Sequence, residues 1–113
     1  MMTEGVHKGR IDLLSMAKIL TENAAKLYGI YPRKGAIQVG SDADIVVIDP
    51  EKRGTLTAKM LRGKTDFSIW EGRPVQGFPV MTFVRGNMVA NDGEVVAKKP
   101  NGHHIVGITP QQA

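Results

Sequence analysis

The chain has 113 residues, of which 15 are lysine or arginine and 11 are aspartate or glutamate, so its formal charge is +4 with the histidines neutral. This length suits one domain and excludes a complete TIM barrel, which needs roughly 200 residues or more. The absence of cysteine excludes disulfides, thiolate nucleophiles and cysteine-based zinc sites. No apolar run approaches the roughly 20 residues of a membrane span, and the start lacks a secretory signal, so we expect a cytoplasmic protein without membrane contact.

Residues 1–30 form the first predicted segment, which is helical between residues 9 and 29. Apolar residues recur there at spacings of three and four, so they form one stripe along a helix. The stripe consists of Leu13, Met16, Ala17, Leu20, Ala24 and Leu27. Asp12 can cap the start of the helix. Because Thr21 and Asn23 could cap a second helix, the pattern leaves one long helix and two short helices open.

Residues 31–97 form the second predicted segment, and residues 98–113 form a tail that runs over a surface. The second segment shows the alternation typical of strands and predicts about six short ones. They cover Ile37 and Val39, then residues 44–49, 55–58, 80–84, 88–90 and 95–97. Pro50 is expected to close the second strand, and glycines and prolines make residues 60–79 an irregular loop. The predicted fold class is therefore α+β, with one or two helices before a small sheet.

These elements do not make a self-contained protein. The helical stripe has no helical partner in the chain, and the sheet is small for a core of its own. The long loop rich in proline and glycine also needs a surface to lie against. The sequence therefore indicates a part of a larger assembly.

Three histidines, His7, His103 and His104, are the first candidates for metal ligands. Zinc sites favour ligands at positions i and i+4 of a helix, or convergent ligands on strands. Adjacent histidines in an extended chain point in opposite directions, and His7 has no such partner. We therefore predict that all three are surface residues.

Three aspartates and two serines are the other candidates. Asp42, Asp44 and Asp49 could hold calcium or act as acid and base, but their spacing fits a turn whose carboxylates bond its own backbone. Ser15 and Ser41 have no neighbouring base, and Gly-Ser-Asp is not a nucleophile elbow. We therefore predict no catalytic, cofactor-binding or metal-binding residue in this chain.

The positive charge is concentrated between Lys52 and Lys64, where five basic residues occur without an acidic one. A nucleic-acid site would usually add stacking aromatics or a recognition helix, and this stretch has neither, so we expect a solvated surface or a contact with acidic protein. Trp70 lies in the predicted loop, where an aromatic residue either anchors the loop or contacts a partner; we favour anchoring.

The order of the segments resembles the C-terminal region of cyclic amidohydrolases. Residues 25–35, Ala-Lys-Leu-Tyr-Gly-Ile-Tyr-Pro-Arg-Lys-Gly, carry the first part of the resemblance. Residues 40–50, Gly-Ser-Asp-Ala-Asp-Ile-Val-Val-Ile-Asp-Pro, resemble the broad amidohydrolase signature. Residues 66–72, Asp-Phe-Ser-Ile-Trp-Glu-Gly, are similar to the narrower hydantoinase and dihydropyrimidinase version. The resemblance runs from about residue 3 to about residue 105.

The resemblance implies a TIM barrel with a small β-sandwich in the intact family, where two zinc ions activate a hydroxide that opens a cyclic amide. It assigns residues 1–30 to the last barrel-covering helices and residues 31–97 to the C-terminal part of the sandwich. None of the family's metal-ligand or substrate-binding motifs matches a position here, so this segment is expected to bind no zinc itself. Its expected partners are the missing barrel portion or other copies of the chain.

Two functions follow from the resemblance. The first is a fragment or subunit of a zinc-dependent cyclic amidohydrolase that acts on hydantoins or dihydropyrimidines, with a scaffold role and no activity alone. The second is a non-catalytic interaction module related to dihydropyrimidinase-like proteins. A small nucleic-acid binder is a third reading, which only the basic stretch supports.

Overall fold

The protein consists of two short helices followed by an antiparallel sheet. A computed structural model describes residues 1–108. After a π-helical turn at Met2–Val6, the elements are α1 (Leu13–Leu20), α2 (Glu22–Leu27), β1 (Ile45–Thr55), β2 (Pro74–Val84), β3 (Asn87–Asn91) and β4 (Glu94–Val95). The strands pair in the order β1-β2-β3-β4. The predicted α+β class is confirmed, although residues 1–108 contain four strands and the prediction of about six is wrong.

The helical segment divides at Thr21, which decides between the two alternatives. The Asp12 side chain accepts a hydrogen bond from the Ser15 amide at 2.6 Å and caps α1 as predicted. The Thr21 backbone leaves the helical region, with φ −127° and ψ −84°, and its hydroxyl donates to the Ala17 carbonyl at 2.7 Å. Gly29 then ends α2 in the left-handed conformation at φ +66°.

No helix within residues 1–108 has the length and apolar character needed to cross a membrane.

β1 is longer than predicted because Pro50 lies in a bulge. Asp49 pairs with Phe78 and Arg53 pairs with Gln76, so residues 50–52 have no register partner on β2. The missing amide of Pro50 therefore costs no ladder hydrogen bond. The Asp49 carboxylate bonds this bulge by accepting from the amides of residues 51 and 52 at 2.9 and 3.1 Å.

Two other predicted strands are absent from the described residues. Ile37 and Val39 are almost fully or fully exposed; Ile37 lies in irregular backbone, and Val39 lies in a turn in which the Ser41 amide donates to the Gln38 carbonyl at 3.1 Å. Alternation of apolar side chains does not by itself stabilise an extended backbone, which needs hydrogen bonds to a neighbouring strand. Residues 56–58 follow the end of β1 and enter a turn in which the Thr57 hydroxyl accepts from an amide three residues later.

β2 begins earlier than predicted, at Pro74, inside the stretch that was expected to be irregular. It pairs with β1 between Pro74 and Phe83, with register shifts on both sides of the Pro79 pairing. These shifts accommodate a glycine and a second proline within the strand.

The predicted strand at residues 95–97 is shortened to Glu94–Val95. The division into segments 1–30, 31–97 and 98–113 stays a prediction, and residues 109–113 of the tail lie outside the described part.

Asp44 joins the loop after α2 to the sheet. Its carboxylate forms an ion pair with Lys34 and accepts a hydrogen bond from the Arg85 amide, in the β2–β3 turn, at 2.8 Å. Lys34 also pairs with Asp42 at 2.8 Å, and only about a sixth of its side chain is exposed. Partial burial acts to raise the pKa of Asp44, but the hydrogen bonds from Lys34 and Arg85 together hold that pKa below its usual value.

The N-terminal turn is fixed to β2 by apolar and polar contacts. The Thr3 hydroxyl donates to the Gln76 carbonyl at 3.0 Å and accepts from the Gln76 amide at 2.9 Å, so it occupies the place of a paired strand. Met2 is buried against Gly77, where an added Cβ would lie 2.6 Å from the Met2 Cβ. The sheet therefore holds the start of the chain in a defined position.

We predict that Asp44→Asn lowers the free energy of unfolding at pH 7 by about 1–2 kcal/mol, because the variant loses a charged partner of Lys34 and a strong acceptor for the turn. The stabilisation from a carboxyl whose pKa is lowered in the folded state is present above its unfolded pKa and is lost as the pH falls through the folded pKa. Urea denaturation of both proteins between neutral pH and about pH 2.5 should therefore give a flatter acid limb for the variant.

Asp66→Asn, in an exposed loop, is the matched control and should change the stability by less than about 0.5 kcal/mol. Equal stability of Asp44→Asn and the parent at pH 7, or parallel acid limbs, would contradict the role given to Asp44.

We also predict that Gly77→Ala destabilises the protein more than Gly40→Ala. Both glycines have nearly the same positive φ, +91° and +93°, so both substitutions carry a similar backbone strain. Only the Cβ at position 77 collides with Met2, since no atom lies within 4 Å of a Cβ at Gly40. Thermal unfolding should show an additional loss of about 1–3 kcal/mol for Gly77→Ala, and equal losses would show that Met2 is not held there.

Candidate functional site

The most extensive feature of the surface is apolar side chains that the chain does not cover. Among residues 1–108, the buried apolar residues are Met2, Met16 and Ala25. In the predicted helical stripe, Leu13, Leu20 and Leu27 are 57%, 55% and 81% exposed. The stripe is thus present, but within residues 1–108 most of it is left uncovered.

An open cleft of about 690 Å³ separates this stripe from the sheet. The helical wall includes Leu13, Met16, Ala17, Leu20 and Ala24, and the opposite wall includes Ile45, Val46 and Ile48 of β1. The charged residues that line this cleft are Lys34, Asp42 and Asp44; Lys34 pairs with both carboxylates, and Arg33 also pairs with Asp42 at 3.1 Å. The cleft therefore presents apolar walls and an end whose charges are already compensated.

A second cleft, of about 710 Å³, lies beside the first. Met16, Leu20 and Ile48 border both clefts and thus form the ridge between them. The N-terminal Met2 and Phe78 of β2 contribute further apolar wall to the second cleft. The two clefts and their ridge together form one surface, called here the α1–β1 surface.

The predicted metal candidates do not come together. His7 places its Nε2 2.9 Å from the Pro50 carbonyl oxygen, so its ring is used in a hydrogen bond to the bulge of β1. His103 and His104 are exposed in the extended tail. Within residues 1–108 there is no group of three or more histidines, aspartates and glutamates that could hold a metal ion.

The aspartates and serines also make structural contacts. Asp49 bonds its own bulge, as expected for a turn carboxylate. The Asp42 carboxylate instead pairs with Arg33 and Lys34, and the Asp44 carboxylate pairs with Lys34 and accepts from the Arg85 amide, so the expectation that they bond the backbone of their own turn is wrong. The Ser15 hydroxyl donates to Asp12 and the Ser41 hydroxyl donates to the Pro32 carbonyl.

The basic stretch is partly neutralised by acidic residues that lie far along the sequence. Lys52 pairs with Asp92, and Arg62 pairs with Glu94 at 2.6 Å. The stretch is therefore less positive in the folded chain than its sequence indicates.

The Trp70 ring is about half exposed and lies 5.2 Å from the Arg73 guanidinium carbon.

Sequence reasoning identified the apolar stripe but missed the surface to which it belongs. The wall of β1 lies more than 15 residues beyond α2 in the chain, and no periodic pattern connects the two elements. It also missed the link from Lys34 through Asp44 to the turn at Arg85. The alternation of aspartates around Ala43 was a signal for ordered carboxylates, but it did not identify their partners.

Comparison with known proteins gives a consistent result. The sequence profile of the amidohydrolase family matches residues 1–89. The L-hydantoinase of Paenarthrobacter aurescens is 43% identical over 105 residues, which are 93% of this chain and 23% of that protein. The dihydropyrimidinase of Rattus norvegicus is 43% identical over 90 residues, which are 80% of this chain and 17% of the relative.

Solved structures agree with the sequence matches. An L-hydantoinase from Arthrobacter aurescens superimposes with a TM-score of 0.82 at 45% identity, over 86% of this chain and 22% of that one. A D-hydantoinase from a Thermus species gives 0.79 at 43% identity, over 84% and 21%. The chain thus spans less than a quarter of the length of these relatives. The resemblance seen in the sequence is confirmed: the chain belongs to the amidohydrolase family, and its relatives include hydantoinases and dihydropyrimidinases.

Proposed function

We propose that this chain is the C-terminal part of a zinc-dependent cyclic amidohydrolase that opens the ring amide of hydantoins or dihydropyrimidines. In this proposal the chain supports the catalytic part and contacts it, and has no activity alone. The observation that carries the proposal is the match of 93% of this chain to only 23% of an L-hydantoinase. Most of the residues of such an enzyme lie outside this segment.

The uncovered α1–β1 surface supports a scaffold role. An isolated domain of this size normally buries a core of its own, whereas the stripe on α1 and α2 remains mostly exposed. Apolar patches of this extent mark sites of contact with other protein. A chain that supplies one wall of a larger core would show this arrangement.

The described residues do not fit a zinc site of their own. Amidohydrolase chemistry of the proposed kind needs several histidine and carboxylate ligands that converge on the metal. No three histidine or carboxylate side chains of residues 1–108 converge, and the carboxylates of Asp42 and Asp44 are paired with Lys34. We therefore assign no catalytic step to a residue of this chain, and place the metal ligands of the proposed enzyme in its other part.

The same surface also favours a second candidate, a non-catalytic module that associates with other proteins or with itself. Exposed leucines on α1 and α2 are the observation in its favour, because a helical apolar stripe is a common contact between subunits. One measurement separates the two candidates. If the chain is a non-catalytic module, mixing it with the remaining part of a hydantoinase would not produce ring opening.

We predict that the purified chain, supplied with zinc, shows no hydrolysis of hydantoin or dihydrouracil above the rate without protein. Addition of the remainder of the P. aurescens L-hydantoinase, expressed without the region that matches this chain, should produce zinc-dependent hydrolysis. The measurement is the appearance of the ring-opened acid by chromatography.

Each half alone and the mixture treated with a chelator are the controls for this assay. Zinc-dependent turnover by the 113-residue chain alone would overturn the scaffold role. A folded mixture that binds zinc but remains inactive would favour the non-catalytic module.

A further inference from the structure

We propose that Asn101 is a site of spontaneous deamidation, and that the Arg85 guanidinium, which holds the main-chain carbonyl of Asn101, promotes the reaction and directs it to isoaspartate. The modification consumes only water and releases ammonia. It does not depend on the ring hydrolysis proposed above.

Asn101 has the sequence context in which an asparagine side chain is most reactive. It precedes Gly102, whereas the asparagines at positions 23, 87 and 91 precede alanine, methionine and aspartate. Deamidation begins when the main-chain nitrogen of the following residue attacks the side-chain amide carbon, and a Cβ on that residue hinders the approach. Glycine has no Cβ, so the nitrogen that follows Asn101 is the least hindered of the four.

The fold leaves this nitrogen accessible. Residues 100–108 lie in neither helix nor strand, and among residues 1–108 neither the Gly102 amide nor the Asn101 side chain forms a hydrogen bond. No atom lies within 4 Å of a Cβ added at Gly102, so the main chain has room to turn toward the side chain. The other three asparagines lie in α2 and at the two ends of β3, where paired backbone opposes that rotation.

Arg85 adds an electrostatic effect that the other asparagines lack. It lies in the β2–β3 turn, and its Nη2 donates to the main-chain carbonyl oxygen of Asn101. This oxygen and the Gly102 nitrogen belong to one peptide group, so the negative charge that forms when the nitrogen loses its proton is shared with the oxygen. A charged donor stabilises that anion more than it stabilises the neutral peptide. Arg85 therefore increases the fraction of the nitrogen that can attack.

The reaction balances with solvent water. Hydroxide takes the proton of the Gly102 amide, and the nitrogen forms a bond to Cγ of Asn101. The bond from Cγ to the side-chain nitrogen then breaks, and this nitrogen takes a proton from water and leaves as ammonia. Water opens the resulting succinimide ring. Opening at the main-chain carbonyl carbon gives isoaspartate, and opening at Cγ gives aspartate.

The same guanidinium selects the carbon that water attacks. Arg85 contacts the main-chain oxygen, so it polarises that carbonyl rather than the one at Cγ. Opening there yields isoaspartate, and the oxygen that Arg85 holds becomes part of the new carboxylate. An ion pair then replaces a hydrogen bond to a neutral carbonyl, which keeps the modified tail attached to the β2–β3 turn.

The site is tested by incubating the full 113-residue chain at mildly alkaline pH and measuring its peptides by mass spectrometry. Deamidation should appear at Asn101 before any other asparagine. Gly102→Ala should slow it at least about tenfold by placing a Cβ beside the attacking nitrogen. The structure has room for this Cβ, so the circular dichroism spectrum should not change.

The role of Arg85 is tested by its charge. Arg85→Gln should slow deamidation about tenfold and lower the ratio of isoaspartyl to aspartyl peptide, whereas Arg85→Lys, which keeps a cation, should retain part of both effects. The contact with Asp44 uses the Arg85 main-chain amide and is therefore preserved in both variants. Arg10→Gln, which removes the same charge from a residue that pairs with Glu4, is the matched control and should stay within about twofold of the parent.

Several outcomes would overturn the inference. Deamidation at Asn101 that is no faster than at Asn87 or Asn91 would refute the site. Faster reaction of Arg85→Gln would show that Arg85 restrains the tail, and equal rates for Arg85→Gln and Arg10→Gln would show that its contact has no effect. An unchanged ratio of products would refute the directing role. None of these measurements involves ring opening, so this inference and the proposed function fail independently.

Discussion

The N-terminal turn is the contact on which the rest of the structure depends, because Met2–Val6 packs against both α1 and β2 and thereby joins the helices to the sheet. Met16 is buried in α1, and with Leu20 and Ile48 it forms the ridge between the two clefts. A single ridge leaves apolar surface on both sides, because one pair of elements cannot enclose a core. The open clefts, the exposed stripe and the large surface area all follow from this geometry.

Polar contacts define positions that a small core cannot fix by itself. Asp44 connects Lys34, which follows the helices, to the β2–β3 turn at Arg85. Thr3 binds both backbone groups of Gln76 and fixes the N-terminal turn on the sheet. These contacts hold the two walls of the α1–β1 surface in place, so that the surface is preformed for a partner.

Membership of the amidohydrolase family supports the role proposed for this arrangement. Proteins related to this chain include hydantoinases and dihydropyrimidinases, and the chain matches less than a quarter of an L-hydantoinase. Asp42 and Ser41, which the sequence offered as candidates for chemistry, pair with Lys34 and donate to the Pro32 carbonyl, respectively. The proposed role is therefore physical, since the chain supplies a wall and a docking surface while the other part supplies the catalytic groups.

The sequence by itself determined the order of helices and sheet, the apolar stripe, the cap at Asp12 and the family, because these depend on neighbouring residues or on local motifs. It failed at Ile37 and Val39, which alternate like a strand but have no strand beside them, and at Pro50 and Pro74, which a bulge and a strand terminus accommodate. Only the tertiary structure placed Asp44 between Lys34 and Arg85, and only it set the stripe of α1 across an open cleft from β1. The reason is that these contacts join residues that are distant in the chain, and a local pattern shows which side chains need a partner without showing which partner the fold brings to them.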